Sequence, residues 1–247
     1  MIFDYVDDNT REILEKKGSR VRNMFDRIAP WYDFLNHFLS LGIDRYWREK
    51  MIRRLKLQPE HHVLDMATGT GDLAITLVRN SGCSVTGMDV SEKMMTIAER
   101  KVREKGLQHK ISFLPGAAEH IPFESGKFDV VVVAFGVRNF TNLDQGLKEM
   151  LRVLKPGGQL AILEFSKPVW QPLKAVYSFY LFHVLPLAGR IFSGDKYAYT
   201  YLPVSIKAFP QREVFLQIMQ NCGYEVTWYN TYTGGIVTAY YGKKPVK

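Results

Sequence analysis

Arg138-Asn139 follows directly on a solidly apolar run in this 247-residue chain. The run, Phe128-Asp129-Val130-Val131-Val132-Val133-Ala134-Phe135, is β-branched and lacks polar alternation, which predicts a strand buried on both faces. Gly136 breaks it, so a guanidinium and an amide stand where the carboxyl end of the strand opens. In open α/β sheets that edge is where ligands bind. A lone loop arginine is most simply a solvated one, and it is the position of Arg138 that argues for a site. Arginine stays protonated and makes a poor general base, so its chemistry here is to stabilise a forming anion or to order a water. Asn139 would orient that water or the anionic oxygen.

A second constellation is Val63-Leu64-Asp65-Met66-Ala67-Thr68-Gly69-Thr70-Gly71-Asp72-Leu73, running from strand through a tight turn into helix. Gly69 and Gly71 let the backbone come close to a ligand. Asp89 ends the next strand, where a carboxylate accepts hydrogen bonds from the hydroxyls of an adenosine ribose. With Ala74 as third position the loop also satisfies the dinucleotide pattern, so the motif alone is weak. Charge favours S-adenosylmethionine instead. Asp65 and Asp72 would repel a pyrophosphate and attract the ammonium and sulfonium of that methyl donor. Gly116-Ala117-Ala118-Glu119 after the third strand offers small side chains against which an adenine can lie, and Leu154-Lys155-Pro156-Gly157-Gly158 makes a sharp turn from helix into the fifth strand. Asp72 has a plainer reading as a helix cap, and Pro-Gly-Gly is a turn in any fold.

These residues need a scaffold, and the chain supplies one. Strands at 62–67, 84–89, 110–114, 128–135 and 158–165 alternate with helices near 72–80, 92–105 and 142–154, which predicts parallel βαβ units. A helix near 211–221 precedes two strands, 224–232 and 235–243, and the turn Thr233-Gly234-Gly235 makes them a hairpin. Five βα units ending in an antiparallel strand predict a class I S-adenosylmethionine-dependent methyltransferase: α/β, Rossmann-like, seven strands. Before the sheet come helices at Asn9–Lys17, Ser19–Leu39 (interrupted near Pro30) and Asp44–Leu57. The expected division is therefore an N-terminal helical cap, 1–57, and a methyltransferase domain, 58–247. Within the latter, 168–209 is an aromatic-rich insertion suited to a substrate lid.

Composition narrows the field. A chain that is 46% hydrophobic can bury a full core and is neither disordered nor fibrous. Cys83 and Cys222 form no metal-ligand spacing, so no metal is expected and a reducing cytosol fits. Met1–Lys17 carries both signs of charge, unlike a secretory signal. The net charge of +8 suits nucleic acid, an anionic membrane surface or an anionic cofactor, but the basic residues are scattered and no nucleic-acid-binding signature is present.

The sequence resembles the ubiquinone/menaquinone biosynthesis C-methyltransferases from about Val21 to Gly242. The resemblance is carried by Phe25-Asp26-Arg27-Ile28-Ala29-Pro30-Trp31-Tyr32-Asp33, by Phe135-Gly136-Val137-Arg138-Asn139, by Arg152–Gly158 with Leu163–Pro168, and by Tyr199–Phe209. It implies methylation of a ring carbon of a polyprenylated hydroquinone, in the menaquinone branch (demethylmenaquinol to menaquinol) or on a benzoquinol of the ubiquinone branch. It places donor binding on Thr70, Asp89 and Ala117-Ala118, with Asp65, Gly69, Gly71 and Ala134 beside them. Arg138, Asn139, Tyr32 and Asp33 become the catalytic candidates, Asp33 as an acceptor of a proton, and Asn36 and Phe135 stand on the substrate side. Asp33 and Asn36 serve equally well as helix-turn caps. Relatives often carry Asn or Asp where this chain has Ala117, and some have Ser at Ala134, so binding there falls to backbone groups or Glu119. A prenylated substrate implies peripheral contact with the inner face of a membrane, through the N-terminal helices (Phe25, Ile28, Trp31, Phe34, Leu35, Phe38) and Val176–Leu187. A homodimer or a biosynthetic complex stays open. Methylation of a soluble small molecule would explain the sheet but leave the insertion idle, and RNA methylation lacks its motifs.

Overall fold

Apolar runs such as Val130–Val133 pair into a sheet because their β-branched side chains pack on both faces. The computed structural model describes residues 19–40, 42–180 and 196–246, with side chains other than those of 19–20, 34–39 and 196–200. Its strands are His62–Met66 (β1), Ser84–Asp89 (β2), Ile111–Pro115 (β3), Phe128–Ala134 (β4), Leu154–Phe165 (β5), Glu225–Tyr232 (β6) and Val237–Lys243 (β7). The helices are Ser19–Leu39 (α1), Ile43–Leu55 (α2), Asp72–Ser81 (α3), Glu92–Glu104 (α4), Leu143–Val153 (α5), Gln171–Phe179 (α6), Lys196–Ala208 (α7) and Glu213–Asn221 (α8). The expected helix at Asn9–Lys17 and the insertion stretch 181–195 lie outside the described residues.

The strand order is β3-β2-β1-β4-β5-β7-β6. β1 to β5 pair in parallel, and β7 runs antiparallel between β5 and β6, as the hairpin reading requires. The order reverses between β1 and β4, which opens a crevice at their carboxyl ends. Both faces of β4 are covered. Val131 and Val133 join one core with Leu147, Met150 and Phe215, while Val130 and Val132 join the other with Trp47, Met51 and Leu77.

Two expectations are corrected in detail. Pro30 does not interrupt its helix, which runs unbroken from Ser19 to Leu39. An interior proline costs about 3 kcal/mol. Burial of Val21, Met24, Ile28 and Ala29 in a cluster with Met94, Tyr201 and Ile206 offsets it. The fifth strand starts earlier than 158: Leu154 already pairs with Phe128, and the register then jumps to Val130↔Gln159. Lys155–Gly158 is thus a bulge within β5 rather than a plain turn before it. Glycine is needed there, since a Cβ on Gly158 would lie 2.8 Å from the Lys155 carbonyl oxygen.

Candidate active site

A cavity of about 360 Å³ fills the crevice at the carboxyl edge of the sheet. Asp89, Ala117 and Ala118 line one part, Ala134, Phe135 and Asn139 another, and Phe25 and Tyr32 of α1 lie against it from above. Its floor is made by two turns in unusual backbone conformations. Ala67 after β1 and Phe135 after β4 sit at φ 57° and 59°, a left-handed region that non-glycine residues rarely adopt. Gly136 lets them meet: a Cβ there would stand 2.5 Å from that of Ala67.

On the β1 side, Gly69 and Gly71 take φ 55° and 80°. Asp89 accepts the Gly69 N–H at 2.8 Å and the Ser91 N–H at 2.9 Å, one on each carboxylate oxygen. Each oxygen keeps a lone pair for a ligand hydroxyl. Burial raises the Asp89 pKa against the lowering effect of these backbone bonds. Asp65 lies deeper: Thr68 Oγ1 donates to its Oδ2 at 2.6 Å, and its buried Oδ1 has no hydrogen-bond partner. Burial pushes its pKa up to about 7, opposed by the Thr68 hydroxyl and the Arg48 guanidinium. Asp72, the expected partner of a ligand cation, is instead paired with Lys101 Nζ.

Arg138 is not among the residues lining the cavity. Its Nη1 donates to Glu164 Oε1 at 2.6 Å and to the Phe135 carbonyl at 2.6 Å. The guanidinium also lies over the Phe165 ring, 5.6 Å from its centroid. Phe165 in turn stacks on Phe135, with centroids 4.5 Å apart. The expectation of direct contact between this guanidinium and a ring oxygen thus meets a different geometry. Arg138 grips the turn whose next side chain, Asn139, does line the cavity. Tyr201 O–H donates to Asn139 Oδ1 at 3.1 Å, which leaves the amide N–H₂ as the group with donors to offer.

Helix α1 contributes Tyr32, whose ring approaches Gly69: a Cβ on that glycine would lie 3.9 Å from Tyr32 Cε1. Asp33, expected as a proton acceptor, accepts from Lys101 Nζ at 2.7 Å and from the Thr70 hydroxyl. The Asn36 side chain lies outside the described residues. Glu119 lines the cavity, but its Oε1 already accepts the Asn142 N–H at 2.9 Å. Sequence reasoning missed Glu164, Tyr201, Lys101 and Arg48. The first two fall inside stretches that carry the family resemblance, so a polar residue within Leu163–Phe165 and a tyrosine facing the sheet were the available signals.

A family model for the ubiE/COQ5 methyltransferases matches residues 13–244. The chain belongs to the ubiE/COQ5 methyltransferase family. Among curated relatives, the demethylmenaquinone methyltransferase of Porphyromonas gingivalis is 48% identical over 230 residues, covering 92% of this chain and 94% of that one. The ubiquinone/menaquinone biosynthesis C-methyltransferase UbiE of Geobacter sulfurreducens is 43% identical and covers 100% and 98%. Solved structures of similar fold include a SAM-dependent methyltransferase from Aquifex aeolicus, with TM-score 0.59, 21% identity, and 79% and 88% of the two chains covered. The [4+2]-cyclase SpnF gives TM-score 0.63 at 20% identity, with 92% and 96% covered. A cyclase on the same scaffold shows that the fold alone does not give the chemistry.

S-adenosylmethionine is the co-substrate of a ubiE/COQ5 methyltransferase, and the residues present fit it. Asp89 would take the ribose hydroxyls, and Ala117 and Ala118 leave room for an adenine, whereas Asp65 and Thr70 are not among the residues that line the cavity.

Proposed function

We propose that this ubiE/COQ5 methyltransferase transfers a methyl group from S-adenosylmethionine to a ring carbon of a prenylated demethylmenaquinol. The observation that carries the reading is one cavity joining Asp89, at its donor end, to Asn139 and the apolar walls of Phe135, Phe25 and Tyr32. When bound, the donor supplies an electrophilic methyl on a sulfonium. A ring carbon ortho to a hydroxyl becomes nucleophilic once that hydroxyl gives its proton to water, and a phenol near pKa 10 needs help at neutral pH. As the carbon–methyl bond forms the sulfonium–methyl bond breaks, and the ring hydrogen then leaves as a proton to water. The Asn139 amide, oriented by Tyr201, donates to the forming phenolate oxygen. Arg138 acts through the backbone, holding the Phe135–Asn139 turn against Glu164. Residues 1–57 serve as a cap on the 58–247 methyltransferase domain, with 168–209 as its lid.

The prenyl tail calls for a membrane surface. No helix among the described residues is long and apolar enough to cross one. Helix α6 and its approach expose Val169, Trp170, Val176 and Phe179, each more than 60% accessible. Burial lowers the pKa of Lys167, and the nearby Lys207 and Lys174 lower it further. Exposed apolar side chains beside clustered lysines suit an anionic bilayer. Flotation with anionic vesicles should exceed that with neutral ones and fall in Trp170→Ala/Phe179→Ala; equal flotation in all cases would remove this membrane contact.

The names of the relatives cover both quinone branches, so a benzoquinol substrate is the second reading. Mass spectrometry of the quinones that accumulate when the activity is removed from its host decides between them. Accumulated demethylmenaquinone supports the first reading, and an unmethylated benzoquinone alone supports the second.

A further inference from the structure

Lys101, on α4, gathers three groups from separate parts of the chain. Its Nζ donates to Asp33 Oδ2 of α1 at 2.7 Å, to Asp72 Oδ1 at the start of α3, and to Thr70 Oγ1 in the glycine loop at 3.4 Å. Asp33 Oδ1 accepts the Thr70 hydroxyl as well, which closes the ring of contacts. The Lys101 side chain is only 17% exposed. Two carboxylates thus share one ammonium, and without it they repel each other across the junction of α1 with the loop.

From this arrangement we infer that Lys101 is a positioning residue, a latch that fastens α1 over the donor site. Asp33 is its receiver rather than an acceptor of the substrate proton. The latch lies one residue from Tyr32, whose ring approaches Gly69 and lines the same cavity, so losing it frees that aromatic wall beside the donor loop. Thr70 is held in the same network and loses its orientation too. Donor binding is thereby linked to closure of α1: the donor exchanges when the latch opens, and a closed latch slows its escape. The inference rests on the methyl-donor reading above, which titration of the wild-type enzyme with S-adenosylhomocysteine tests by itself.

Two variants separate the latch from mere stability. Lys101→Met keeps the aliphatic stem and removes the charge, and Lys101→Arg keeps the charge. Calorimetric titration with S-adenosylhomocysteine should show affinity about tenfold weaker for Lys101→Met and within about threefold of wild type for Lys101→Arg. The wild-type affinity should weaken as salt is raised, because a partly exposed ion pair is screened, whereas that of Lys101→Met should be nearly flat. Asp33→Asn, which keeps an acceptor for Thr70 and loses the ion pair, should behave like Lys101→Met if that variant folds poorly. Hydrogen exchange of α1 should slow on ligand binding in the wild type and much less in Lys101→Met. If Lys101→Met and Asp33→Asn bind within twofold of wild type, or if the salt dependence is the same in all, the latch is wrong. Failure of the wild type itself to bind overturns the donor reading instead.

Discussion

Arg138 and Glu164 form a buried ion pair at the carboxyl ends of β4 and β5, with side chains 8% and 0% exposed and Nη1 2.6 Å from Oε1. The same carboxylate accepts the N–H groups of Arg138 and Phe165, and the same guanidinium holds the carbonyl of Phe135. A charge pair therefore stitches together the turn that ends one strand and the strand beside it. Removing one partner of such a pair strands the other in a medium of low polarity, which typically costs about 3–5 kcal/mol. Arg138→Ala should lower stability by that amount in denaturant unfolding, while Arg138→Met combined with Glu164→Gln should lose much less. An unchanged unfolding midpoint for Arg138→Ala would contradict the assignment. The double variant also isolates function from fold, and its turnover should remain at least about tenfold low, equivalent to about 1.4 kcal/mol.

Asn139 and Tyr201 give a second, sharper contrast. Asn139→Ala removes the proposed donor to the phenolate oxygen and should cost at least about tenfold in turnover, about 1.4 kcal/mol, with donor affinity intact. Tyr201→Phe leaves Asn139 in place but unoriented, so its loss should be smaller and of the same kind. Steady-state kinetics beside calorimetry read both. Wild-type turnover in Asn139→Ala would remove the amide from the mechanism.

Asp65 predicts a pH dependence. Burial lifts its folded-state pKa from 3.8 to about 7. The folded chain then holds a proton that the unfolded chain has released between those values, so this group's contribution is complete below about pH 4 and is lost as pH rises through 7. Stability should fall with rising pH across that window more steeply in the wild type than in Asp65→Asn.

Much of this site could be read from the chain because its signals are local. The glycine loop, the β-branched run and the Thr233–Gly235 hairpin each span fewer than a dozen residues, and each formed its expected element. What the sequence hid are pairings between distant residues. Nothing near Arg138 shows that its guanidinium turns inward to Glu164 rather than out to a ligand, since the partner sits on the neighbouring strand. Lys101 reads as one more cation on the polar face of an amphipathic helix until folding brings Asp33 and Asp72 to it. Pro30 misled because local propensity predicts a break, whereas the burial of α1 against α4 and α7 overrides it.

The proposed reaction places the methyl group on carbon. The direct measurement incubates the protein with a short-tailed demethylmenaquinol, kept reduced, and S-adenosylmethionine labelled with a trideuterated methyl group, then locates the label by fragmentation mass spectrometry. One labelled methyl is expected on the quinone ring, lost or severely reduced in Asn139→Ala. A label on oxygen, or no labelled quinone from protein that binds S-adenosylhomocysteine, would contradict it.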